Sequence, residues 1–244
     1  MHINDGNDLS AKSDDSFSSL LDILQLSDSF FPTGMYTMSN GLEAIFYADK
    51  IKGPKDVADL IKVYLEYQLG PADCVGFGNS YRFIENKDLQ KLIEIDHIIF
   101  SVKLVEEIRN ASTRSGTQLI RCLDFFSQNK EFLKSYSAAV QIKKAHGVYP
   151  VAFAVACSSF DIPKENACTM MLYSFTVSIV GAALRLGLIQ HFEGQKIIHD
   201  LKPVMLRAVR ENIDKPIESI WQFAPQIDLY QIDHEKMDSK MFIT

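Results

Sequence analysis

ACTMMLYSFTVSIVGAAL, residues 167–184, is the stretch on which the fold turns. Its 18 residues carry no charge, and that length reaches the lower limit for a helix crossing a bilayer. Thr169, Ser174, Thr176 and Ser178 lie within it and Arg185 follows at once, which argues against insertion. A mean hydropathy of -0.02 is that of a soluble chain. In such a chain a helix apolar on all sides is the central helix of a core.

Helical spacing continues on both sides of that segment. Phe17, Leu20, Leu21 and Leu24 keep the i, i+3, i+4, i+7 rhythm behind Asp14, Asp15 and Ser16, which are capping residue types. Pro54 suits a first helical turn, and Val57, Leu60, Ile61, Tyr64 and Leu65 form one face up to a break at Gly70-Pro71. Cys74, Phe77 and Tyr81 mark the next helix; Ile98, Val102, Val105 and Ile108 another; Leu119, Leu123 and Phe126 a third. Residues 132–144, 148–160 and 190–213 also read as helical, with Pro203 expected to kink or end the last. No stretch shows the period-2 alternation of strands. The expected fold is all-α, a single compact bundle of about eight to ten helices around a central apolar helix. The expected organisation is a flexible lead-in over residues 1–15, a helical domain over 16–214 and a tail over 215–244.

Composition narrows the function classes. A net charge of -6 with scattered Lys and Arg gives no basic face for nucleic acid. Cys74, Cys122, Cys157 and Cys168 lie far apart, which fits reduced buried thiols better than a zinc site or a disulfide framework. The N-terminal residues lack the pattern of a secretory signal, and the expected location is cytoplasmic. No phosphate-binding loop, serine elbow or paired-histidine metal motif is present. His191 and His199 are two helical turns apart, too far to close one metal site without help. No catalytic, cofactor-binding or metal-binding residue is assigned.

Three features remain. The loop Phe30-Phe-Pro-Thr-Gly-Met-Tyr36 is aromatic and apolar where loops are normally polar, so it tucks under the fold or meets a partner. Glu106, Glu107, Arg109, Arg114 and Arg121 cluster on neighbouring turns, as a polar socket, an arginine supplied in trans, or an inter-helix salt-bridge network. The tail carries Trp221, Phe223, Leu229, Tyr230 and Phe242 without a helical face. Such a segment docks on its own domain or on another protein, or stays disordered.

Read together, Leu24-Gln-Leu26 with Pro32-Thr33-Gly34 and Ser39-Asn-Gly41-Leu42-Glu43, then Glu107-Ile-Arg109-Asn-Ala-Ser112 up to Gly116, and Pro225-Gln-Ile-Asp228 with His234-Glu235, resemble the urease accessory protein F family (UreF). Arg185, Leu188, Gln190 and Gln195 are similar to the family's segment before its last long helix. The resemblance spans residues 20–243. Met35 stands where the family often has a second glycine, and Lys240 where it usually has arginine before the final aliphatic-Phe pair. Lysine cannot reproduce a bidentate guanidinium contact.

The resemblance implies a cytosolic, non-catalytic urease maturation factor that binds no cofactor. Its implied partners are the D/H-type and G-type (GTPase) accessory proteins and apo-urease, with GTP-dependent nickel insertion as the outcome and regulation of the GTPase as the role. A homodimer is expected as well, and charge and hydropathy point to neither nucleic acid nor a membrane as partner. The implied partner-binding residues are Phe31, Pro32, Gly34, Tyr36, Ser39, Glu43, Glu107, Arg109, Arg185, Gln190, Gln195, Pro225, Asp228, His234 and Glu235. Two alternatives stand beside it: an all-α enzyme with an internal polar pocket built from Glu107, Arg109 and Arg185, and a strict GTPase-activating protein with an arginine finger.

Overall fold

The computed structural model of this chain describes residues 20–126 and 130–244. The lead-in over residues 1–15 and Phe17 lie outside the described residues. A first helix, α1, runs through residues 20–27. Its predicted apolar face is not the buried one. Leu20, Leu21 and Leu24 are exposed, and Leu26 enters the core instead. The loop that follows ends in a 3-10 turn, Met35–Thr37. Helix α2 (Leu42–Tyr47) starts behind Gly41, whose φ of 93° is left-handed. A Cβ at Gly41 would also meet Gln231 Cγ at 2.8 Å, so the position is closed to other residues twice over.

Pro54 sits in the first turn of α3 (Pro54–Tyr64), where its missing N–H costs nothing. Val57, Ile61 and Tyr64 form the buried stripe. The break expected at Gly70-Pro71 does not occur. The chain continues as a π-helix over Leu65–Cys74, directly into α4 (Val75–Glu85). In an α-helix Pro71 would strike the carbonyl four residues back; the wider i→i+5 turn lets the rod pass over it. Helix α5 (Leu89–Val102) is capped by the Asp88 carboxylate, which accepts the Lys91 N–H at 3.0 Å. Val105 and Ile108, assigned by spacing to the same helix as Ile98, part from it: Val105 lies in a break at 103–105 and Ile108 in α6 (Glu106–Phe126), which follows it.

The remaining helices are α7 (Glu131–Gln141), α8 (Tyr149–Ser159), α9 (Lys164–Arg185), α10 (His191–Asn212) and α11 (Pro225–Glu235). Ten α-helices between Leu42 and Glu235, and no strand among the described residues, bear out the all-α bundle. The charge-free segment is α9, long and apolar enough to span a membrane, yet 61% of its apolar window is buried inside the fold. It packs on α8 and α10. Helix α8 is buried without interruption from Tyr149 to Cys157 and sits against α4 and α6. Close approach of the loop before α8 to α6 demands Gly116, where any Cβ would run into the Gly147 carbonyl. Helix α10 runs straight through Pro203. Pro203 and His199 one turn earlier are both exposed, on the solvent side of the helix.

One part of the tail reading needs correction, the lack of a helical face. Residues 215–244, expected to dock on their own domain or on another protein or to stay disordered, contain α11, which lies on α2 and α6 of the same chain. Asp228, Gln231 and His234 recur every three residues and all are buried, while Phe223 and Leu229 face outward at 68% and 62% exposure. A helix whose inward stripe is polar is invisible to a search for apolar periodicity.

Candidate functional site

The N-terminal loop, the start of α6, the end of α9 and the tail meet at one buried polar cluster. Its hub is Glu43, in the first turn of α2 and fully buried. One carboxylate oxygen accepts the Met241 N–H at 2.8 Å, and the other accepts the Phe242 N–H at 3.1 Å and His234 Nε2 at 3.0 Å. The other ring nitrogen of His234, Nδ1, lies 2.8 Å from Glu107 Oε2. Lys240 Nζ reaches the second Glu107 oxygen at 3.1 Å and the Glu235 carbonyl at 3.0 Å. Beyond Phe242, the Ile243 N–H donates to the Thr37 carbonyl, and the Thr244 oxygen accepts from both the N–H and the hydroxyl of Ser39. The strap 236–244 is thus tied to the loop before α2 by side chains and backbone alike.

A fully buried imidazole between two carboxylates settles its own charge. Burial favours neutral His234, but the hydrogen bonds to Glu107 and Glu43 outweigh it and raise its pKa above the ordinary 6.5. Burial likewise pushes Glu107 up, and His234 with Lys240 overcomes it, holding Glu107 below its ordinary 4.5. Two carboxylates, Glu43 and Glu107, thus face the His234 ring and the Lys240 ammonium. Each ring nitrogen faces a carboxylate from a different element, Glu107 of α6 and Glu43 of α2. Among the described residues no three His, Cys, Asp or Glu side chains form a metal-binding group.

A second buried polar layer lies beneath α11. The Tyr64 hydroxyl and Gln231 Nε2 both donate to the Asn40 carbonyl, and Gln68 donates to Asp228 at 3.2 Å. In the π-helix, Asp73 takes both oxygens to Lys103 Nζ at 2.8 and 3.0 Å in a buried ion pair.

The structure sorts the predicted residues. Ser39, Glu43, Glu107 and His234 come together in the clasp, and Asp228 joins the layer below. Tyr36 and Arg185 meet at the strap's outer side, where the Arg185 guanidinium lies 4.1 Å from the Tyr36 ring centre and 4.5 Å from that of Phe242. Phe31 is a core residue. Pro32 and Gly34 are exposed in the loop, and Pro225 occupies the first turn of α11. Gln190 and Glu193 form a capping box at the start of α10, and Gln195 is exposed. Glu235 contributes only its carbonyl.

Two expectations fail. The carboxylate–guanidinium network on α6 does not form: Arg109 donates to the carbonyls of Lys103 at 2.7 Å and Leu104 at 2.6 Å, closing the end of α5, and Arg114 and Arg121 point to solvent. Nor do Glu107, Arg109 and Arg185 line one pocket, because each faces a different element. Sequence reasoning overlooked Gln231, Lys240, Phe242 and the Asp73–Lys103 pair as parts of these networks. The buried polar stripe of α11, spaced by three, was the available signal.

Comparison with known proteins gives this cluster its context. A family model described as UreF matches residues 51–202. The chain belongs to the UreF family. The chain is 30% identical over 225 residues to "Urease accessory protein UreF" of Trichodesmium erythraeum, covering 92% of this chain and 97% of that protein. It is 27% identical to the protein of that name from Bacillus sp. (strain TB-90), covering 92% and 99%, and 27% identical to "Urease accessory protein UreF 1" of Brucella melitensis, covering 93% and 94%. Ser39 and Glu43, Glu107, and His234 come from the three motifs that carried the UreF resemblance, and in the fold they touch.

Proposed function

We propose that this chain is a non-catalytic urease maturation factor. In this reading it acts in the cytoplasm as a homodimer and assembles with the D/H-type and G-type accessory proteins. It promotes GTP-dependent nickel insertion into apo-urease and modulates the GTPase. Relatives named urease accessory proteins match over nearly the whole chain. The observation that carries the non-catalytic part is the use made of the motif residues. Glu43, Glu107 and His234 spend their polar atoms on one another, on Lys240 and on the strap backbone. Groups spent on holding the chain's own shape serve as scaffold for a binding surface, and the exposed side chains of Phe30 and Tyr36 beside it provide apolar contact area.

The test is reconstitution. Apo-urease, nickel, GTP and the two partner proteins are combined with and without this chain, and urease activity and bound nickel are measured. Activation that depends on the chain, with no GTP hydrolysis by the chain alone, is expected. Full activation without it overturns the reading.

A further inference from the structure

Arg185 ends α9 with its charge uncompensated. Its guanidinium packs over the rings of Tyr36 and Phe242, and Nε donates to the Gly181 carbonyl at 3.0 Å. Nη2 is buried and has no acceptor. Among the described residues no carboxylate lies within 4.0 Å of Arg185. The guanidinium borders a pocket of about 120 Å³ that Thr33, Tyr36 and Ser174 also line. Asp28 reaches the same pocket, but its Oδ1 accepts the Phe30 N–H at 2.9 Å.

A buried charged donor left unpaired is costly, and two aromatic faces leave a guanidinium only its edge for bonding. The planar ligand that satisfies such an edge is a carboxylate, through two parallel N–H···O bonds. The site is also composite. Tyr36 comes from the loop before α2, Arg185 from α9, and Phe242 from the strap that Glu43 holds. It is complete only while the strap is closed.

We propose that this pocket is a carboxylate-binding site, filled by an aspartate or glutamate side chain of a protein docked over the Tyr36 loop. The inference rests on the reading of the chain as an assembly factor. A protein side chain is the occupant because the pocket opens beside Tyr36, 59% exposed, and Arg beside an aromatic is the usual composition of an interface anchor. A free small carboxylate has little area with which to offset its loss of freedom on binding.

The test measures binding of the full chain to the D/H-type and the G-type accessory protein, each alone, by calorimetry at 50 and 300 mM NaCl. Arg185→Gln should weaken whichever complex the unmodified chain forms by about 30-fold or more, and should flatten its salt dependence. Arg185→Lys, which keeps the charge but neither the planar stacking nor the fork, should recover only part. Circular dichroism and melting curves check that each variant folds; should Arg185→Gln fail, Arg185→Lys carries the comparison. Binding within about threefold of the unmodified chain, with the same salt dependence, overturns the inference and leaves the assembly reading intact. Failure of the unmodified chain to bind either protein overturns both. Saturable, Arg185-dependent stabilisation by sodium malonate, with partner binding unchanged in Arg185→Gln, would assign the site to a free carboxylate and overturn the protein occupant.

Discussion

His234→Ala removes the centre of the clasp and leaves two carboxylates behind. Glu43, fully buried, keeps the Met241 and Phe242 N–H groups but loses its only side-chain counter-charge. Glu107, with a side chain 13% exposed, keeps Lys240. Breaking a buried charged pair costs about 3–5 kcal/mol, because the remaining charge is stranded. For a chain of this size each kcal/mol moves the melting temperature by about 2–4 °C, so a global effect would be roughly 6–20 °C. The strap 236–244 is the smallest unit that can open to relieve the cost, so its amides should lose hydrogen-exchange protection first.

The same variant should change the pH profile. His234 has a folded pKa above 6.5, so its stabilisation is complete below 6.5 and is lost as pH rises through the raised value. Glu107 has a folded pKa below 4.5, so its contribution is present above 4.5 and is lost as pH falls through the lowered value. The unmodified clasp is therefore firmest between 4.5 and 6.5, and the alkaline limb should vanish in His234→Ala. Calorimetry across pH, with exchange measured over the strap, is the assay. A melting shift under about 2 °C with protection over 236–244 unchanged would refute the reasoning.

Lys103→Met strands Asp73, whose side chain is 3% exposed, and should cost about 3–5 kcal/mol by denaturant titration, most of it recovered in the double variant Asp73→Leu/Lys103→Met. Arg109→Ala removes two bonds to the carbonyls that close α5 and should cost about 2–3 kcal/mol in stability. Its effect on GTP turnover by the G-type partner should stay under twofold in the assembled complex, whereas loss of an arginine finger would cut turnover by about 10³ or more.

The sequence by itself determined the fold class, because apolar residues at helical spacing can be buried only one way. The charge-free run 167–184 had to be a core helix, and the stripe Val57, Ile61, Tyr64 had to be buried. It also held the family, since the three motifs are local strings. What it did not determine is how those motifs are used. Polar residues carry no period that says whether they face water or one another, so α11, with Asp228, Gln231 and His234 turned inward, read as a tail without a face. Proximity along the chain misled in the opposite sense. Glu107 and Arg109 are two residues apart, yet one joins His234 across the molecule and the other closes the helix before it. The contact between Glu43 and His234 spans 191 residues, and only the packing of α2, α6 and α11 brings the two charges close enough, in a medium dry enough, for each to fix the state of the other.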